Sequence, residues 1–195
     1  MGIGRGRVAI RLVASASLLA SALVIIQGTG TAVHAADPVL TLPDRIYGPS
    51  TNPGTPVPFA GSDPIGGDRE LVVSGLETGN CSISGPLYST TGCASVFIDF
   101  IDGSEHGVLF LPGTTSPDTD IFLAPGGARL TQYHAGMSAA NPRSDLFNIL
   151  GTQGQIDDAL AALIYEPEDG YERLNADYNV VMRVDATQGD SEGES

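Results

Sequence analysis

Two carboxylates one residue apart, Asp118 and Asp120 in Ser116-Pro117-Asp118-Thr119-Asp120, and two histidines, His106 and His134, are side chains whose types and spacing could support acid–base or metal chemistry. A carboxylate pair can hold a metal or divide general-acid and general-base duty, and histidine titrates near neutral pH. Each also has a plain structural reading. Ser-Pro-Asp is turn chemistry entering a strand, His106 in Gly103-Ser104-Glu105-His106-Gly107 suits a hairpin turn, and His134 follows Tyr133 at the end of a β-prone run. No Gly-x-Ser-x-Gly elbow accompanies the histidines, and the stretch from Gly61 to Asp68 lacks the Gly-Lys-Ser/Thr ending of a phosphate loop. The chain has no tryptophan, so a sugar-stacking platform beside a glycoside-cleaving carboxylate pair would be thin. A small secreted hydrolase would require Asp118, Asp120 or His134 to meet in one pocket.

Arg5, Arg7 and Arg11 precede an uncharged, largely apolar run from Leu12 to Ile26, and Val33-His34-Ala35 follows a polar stretch. That order predicts a secretory signal peptide over residues 1–35, cleaved after Ala35. The run is shorter than the roughly 20 residues that span a bilayer, and no later stretch is apolar enough, so no membrane insertion of the mature chain is expected. In an oxidising compartment Cys81 and Cys93 are expected to form a disulfide. Closing a loop of this size contributes about 3 kcal/mol in the chain-entropy account. Two cysteines without a nearby histidine fall short of a zinc site. Asn80-Cys81-Ser82 fits a glycosylation acceptor in a host that glycosylates.

All 23 acids lie after residue 35, against six of the nine arginines, so the mature chain carries a net −17; lysine is absent. Such a surface repels phosphate backbones, which argues against nucleic acid as a partner and favours cations or basic surfaces. Like charge also keeps an exported protein soluble without any site. The mature length suffices for one domain with a real core.

The elements that must position these residues are short. Residues 36–50 read as a flexible lead-in with an edge-strand alternation at Val39 to Leu42. β-prone runs follow at Leu71–Ser74, Val96–Ile101, Val108–Leu111, Ile121–Ala124, Leu130–Tyr133 and Leu146–Leu150, separated by Gly, Pro, Asp and Ser. Thr152 with Gln155 three residues on forms a capping box, after which Ile156, Ala159, Leu160 and Leu163 fall on one helical face. Ile164 and Tyr165 are β formers, Pro167 and Gly170 break the chain, and Asn179 to Asp185 alternates as a closing strand. The expectation is an all-β, two-sheet Greek-key-type β-sandwich over residues 51–186, with one short helix between late strands and an acidic disordered tail at 187–195.

The late block Gly151, Thr152, Ile156, Ala159, Leu160, Leu163, Tyr165 and Pro167, closed by Asp185, resembles the ending of bacterial cadherin-like and immunoglobulin-like surface repeats. The stretch from Thr51 to Asp68 is similar to the opening strand and Asp-Pro turn of those repeats, but Pro53 and Gly54 stand where many carry an acidic calcium ligand. The resemblance implies calcium held by aspartates at the ends of the sandwich, with Asp63, Asp68, Asp99, Asp102 and Asp185 as the candidate ligands; calcium requires six to eight oxygens. It also implies a secreted or cell-surface binding or adhesion module, not an enzyme, whose partner is another protein or a surface glycan. A structural envelope or filament subunit, associating through an edge strand, is the remaining alternative.

Overall fold

The computed structural model describes residues 9–14, 38–41, 46–47, 56–61, 70–76, 78, 81–83, 88–102, 107–167 and 179–189, and most of their regular structure is strand. In chain order the strands are β1 (Ala9–Ala14), β2 (Val39–Thr41), β3 (Ile46–Tyr47), β4 (Val57–Pro58), β5 (Val72–Ser74), β6 (Ala94–Asp102) and β7 (Gly107–Phe110). There follow β8 (Thr115–Asp118), β9 (Ile121–Leu123), β10 (Arg129–Gln132), β11 (Arg143–Ser144), β12 (Leu146–Gly151), β13 (Ile164–Pro167) and β14 (Asn179–Thr187), with one α-helix, α1 (Gln153–Ala162), after β12.

The described strands form an eight-stranded sheet ordered β3-β1-β14-β6-β12-β10-β9-β8, a four-stranded sheet ordered β11-β7-β13-β4, and the pair β2-β5. Pairing is antiparallel except between β1 and β14. From β6 onward the chain crosses repeatedly between the two larger sheets. β7, β11 and β13 go to one, and β8 to β10, β12 and β14 go to the other.

Alternation of side chains explains which faces meet. In β6, Ala94, Val96 and Ile98 are buried while Ser95, Phe97 and Asp99 are half-buried on the opposite face. β12 buries Phe147 and Ile149, β13 buries Tyr165, β7 buries Leu109, and β14 buries Met182 and Val184. With Val73 of β5 and Ile156, Ala159 and Leu160 of α1, these residues form one hydrophobic cluster shared by all three sheets and the helix. The β-prone runs and the helix therefore lie where the sequence placed them.

The capping box forms as the Thr152/Gln155 spacing predicts: Gln155 N donates to Thr152 Oγ1 (3.4 Å) and Thr152 N to Gln155 Oε1 (2.9 Å). Leu163 is fully buried, but as the C-cap residue in extended conformation, so it leads into β13 and does not add a further helical turn. Gly126, at φ 77°, turns the chain beneath α1, where a Cβ would lie 2.6 Å from Asp158 Cβ.

Cys81 and Cys93 are joined, with their Cα atoms 4.4 Å apart, and Cys93 immediately precedes β6. No described helix is long and apolar enough to cross a membrane. Three boundaries differ in detail from the sequence reading: within the expected lead-in of residues 36–50, β2 pairs with β5 and Leu40 packs against the core. β14 runs through Thr187, paired with Ser95, and Gln188 Nε2 donates to Gly75 O (3.0 Å), so backbone pairing and a side-chain contact continue into the expected tail. Residues 9–14, inside the expected leader, form β1 against the outer edge of β14.

Candidate binding face

Register brings polar and aromatic side chains of three strands together on the outward face of the larger sheet. Leu146, Asp99 and Arg183 form one cross-strand row, and Asn148, Phe97 and Asp185 form the next. Arg183 grips Asp99 with both arms of its fork, Nε to Oδ1 at 3.1 Å and Nη2 to Oδ2 at 2.8 Å, and its Nε lies 3.2 Å from Asp185 Oδ2. The guanidinium also sits over the Phe97 ring, 5.4 Å from its centroid. Asn148 Oδ1 and Asp185 Oδ1 are buried here without a hydrogen-bond partner.

Of the five aspartates considered for calcium, Asp99 and Asp185 thus converge, but on a guanidinium that already supplies the positive charge. Asp102 is the last residue of β6, opposite Val181, and its side chain lies outside the described residues, as do Asp63 and Asp68. Among the described residues no three His, Cys, Asp or Glu side chains gather as a metal site would require. Arg183→Ala is expected to lower stability by about 1–2 kcal/mol, because two neighbouring carboxylates lose their shared counter-charge. Urea unfolding with and without calcium checks this: calcium should stabilise the variant by more than it stabilises the parent.

The smaller sheet repeats the arrangement on its own outward face. Arg143 makes two bonds to Glu166, Nε to Oε2 at 2.6 Å and Nη2 to Oε1 at 3.1 Å, and its guanidinium lies 4.3 Å from the Phe110 centroid. Asn141 Oδ1 accepts a further bond from Arg143 Nη1 at 2.7 Å. Neither arginine stands out in the sequence, although Arg183-x-Asp185 places two opposite charges on one face of a strand.

The catalytic candidates are placed otherwise. Asp118 ends the exposed strand β8, and its Oδ1 accepts from Thr119 N (2.7 Å) and Thr119 Oγ1 (3.0 Å), which is turn chemistry. Asp120 is exposed in the turn that follows, and His106 lies outside the described residues. His134 is exposed, with Nδ1 3.6 Å from Asp145 Oδ1, an ion-pair distance beyond hydrogen-bond reach. Ser144, the sequence neighbour of Asp145, adjoins this pair. Its buried hydroxyl oxygen accepts from the main-chain amides of His134 (2.7 Å) and Leu146 (3.3 Å), so it braces backbone and does not point a nucleophile at the imidazole.

A cleft of about 410 Å³ opens between β5 and α1, lined by Phe59, Leu71, Val73 and Leu160, with Glu70 and Asp157 also on its wall. Gln153 closes one end by imitating a peptide group: its Oε1 accepts from Leu76 N (3.1 Å) and its Nε2 donates to Val73 O (2.6 Å) and Asp157 Oδ1 (2.8 Å). Gln153→Ala is expected to cost about 1–3 kcal/mol, since it strips partners from two main-chain groups at once. Faster amide exchange at Leu76 would report the loss locally.

Comparisons with protein-family models, with curated proteins and with solved structures find no match to this chain.

Proposed function

We propose that the chain is an exported binding or adhesion module, a two-sheet Greek-key-type β-sandwich of the bacterial cadherin-like or immunoglobulin-like kind, and not an enzyme. Its partner is a protein or glycan at the cell surface. The observation that carries this reading is the pair of outward faces on which an arginine rests over a phenylalanine and is held by carboxylates, Arg183 on Phe97 with Asp99 and Asp185, and Arg143 on Phe110 with Glu166. Arginine and aromatic residues are enriched in recognition surfaces, and here strand pairing pre-orders both groups, so little side-chain freedom is lost on contact. The net charge of −17 after leader removal, six arginines against 23 acids, speeds encounter with basic partners.

Retention of the exported chain on isolated envelopes of its own host tests the reading. Binding that weakens with salt and falls in a Phe97→Ala/Phe110→Ala variant is expected. An exported chain that washes off at every salt concentration would sink the proposal.

Calcium is a second part of this reading, resting on Asp63, Asp68 and Asp102. Calorimetric unfolding in excess calcium should then give a higher melting temperature than in chelator, an increase not matched by magnesium, because a ligand of the native state alone adds RT ln(1 + [L]/Kd). An unchanged melting temperature would leave a metal-free module.

A further inference from the structure

We infer that in the chain cleaved after Ala35 the segment around Ile46 and Tyr47 takes the place that β1 occupies and pairs directly with β14. The inference rests on the export reading above. β14 lies between β6 and β1, so half of its main-chain groups bond to β6 and the remainder face β1, from Asn179 to Val184. Cleavage after Ala35 would remove β1 whole. An uncovered strand edge is a template for whatever extended chain is nearest.

That chain is β3. It is hydrogen-bonded to the far side of β1, with Ile46 level with Ile10 and Tyr47 level with Ala9, and these in turn are level with Val180 and Asn179. One strand spacing, roughly 4.8 Å, separates β3 from the vacated position. Its polarity is already correct, because it runs antiparallel to β1 and β1 runs parallel to β14. The exchange would replace the single parallel pairing among the described strands with an antiparallel one, the slightly more stable ladder.

The segment is also tethered on both sides. β2 holds residues 39–41 to β5, and β4 holds Val57 and Pro58 to β13, so the segment is tied at both ends within its own chain, which raises its effective concentration over that of a second copy. Pro43 and Pro49 bound the new strand, because neither can donate to a ladder.

Hydrogen exchange of the exported chain, read by mass spectrometry alongside its intact mass, tests the inference. The expected result is a mass showing residues 1–35 removed, slow exchange in the 179–184 peptide at all protein concentrations, and exchange roughly tenfold or more faster there in Ile46→Pro or Tyr47→Pro. Unchanged protection of the 146–151 peptide would show that these variants remain folded. Fast exchange of 179–184 in the cleaved parent, or protection indifferent to both prolines, would overturn the inference. Protection that grows with concentration would overturn it in favour of a second copy. An intact mass retaining the leader would overturn the export reading, and this inference with it.

Discussion

Replacing Gly107 by alanine is expected to destabilise the fold by about 1–3 kcal/mol, the range for forcing a group into a packed interior. A Cβ there would stand 2.5 Å from the Glu166 carbonyl oxygen and 2.7 Å from both Cε2 and Oη of Tyr165. The first contact is with backbone of the paired strand, since Gly107 lies opposite Pro167 in the β7–β13 ladder. It can be relieved only by parting the strands. Tyr165 is fully buried and meets the Phe100 ring edge-on at 5.9 Å, so Tyr165→Ala empties the core beside β6 and should cost about 3–5 kcal/mol. Combining the two changes separates the contacts. Without the ring, alanine at 107 still strikes the carbonyl but no longer the phenol, so the double variant should be less damaged than the sum by about 0.5–1 kcal/mol. Urea midpoints of the four proteins give the cycle. Strict additivity would place the whole penalty of Gly107→Ala on the backbone contact.

Loss of the disulfide should be nearly as severe. Cys81→Ser with Cys93→Ser is expected to lower stability by about 3 kcal/mol, because the unfolded chain regains the freedom of the loop between them, a separation of 12 residues. The native state also loses a tether, since Cys93 is buried directly before β6 and its amide donates to Thr90 O at 3.1 Å. Melting curves with and without reductant should reproduce the difference, and the double variant should be indifferent to reductant. Alkylation of both cysteines in unreduced denaturant would refute the bridge outright.

Local chemistry was readable in the sequence wherever the interaction itself is local. Thr152 and Gln155 are three residues apart, so their cap is written in one turn, and the alternation of Phe147 and Ile149 against Asn148 needs only one strand. β8 escaped because Thr115-Ser116-Pro117-Asp118 is polar, contains proline and is exposed at every position, so it carries no burial pattern to read. The candidate site was half legible. Asp99 and Asp185 were singled out as acids near strand ends, but their meeting at Arg183 depends on the register between β6 and β14, including a shift between Val181 and Met182. Glu166 and Arg143 were invisible for the same reason. Ser116-Pro117-Asp118, read as a turn, lies in β8, and the turn follows it, where Asp118 Oδ1 accepts from the amide and hydroxyl of the adjacent Thr119.

Ile98, at the middle of β6, is flanked by Phe147 on one side and Val184 on the other, both contributed by strands that emerge much later from the ribosome. The innermost ladder of the larger sheet therefore cannot close until β14 has been synthesised. Such high contact order points to folding on the order of milliseconds to seconds. During that interval β6 exposes two unsatisfied edges, the condition under which nascent strands stick to one another. The surplus of carboxylates keeps such incomplete chains apart by mutual repulsion before the native sheet is complete.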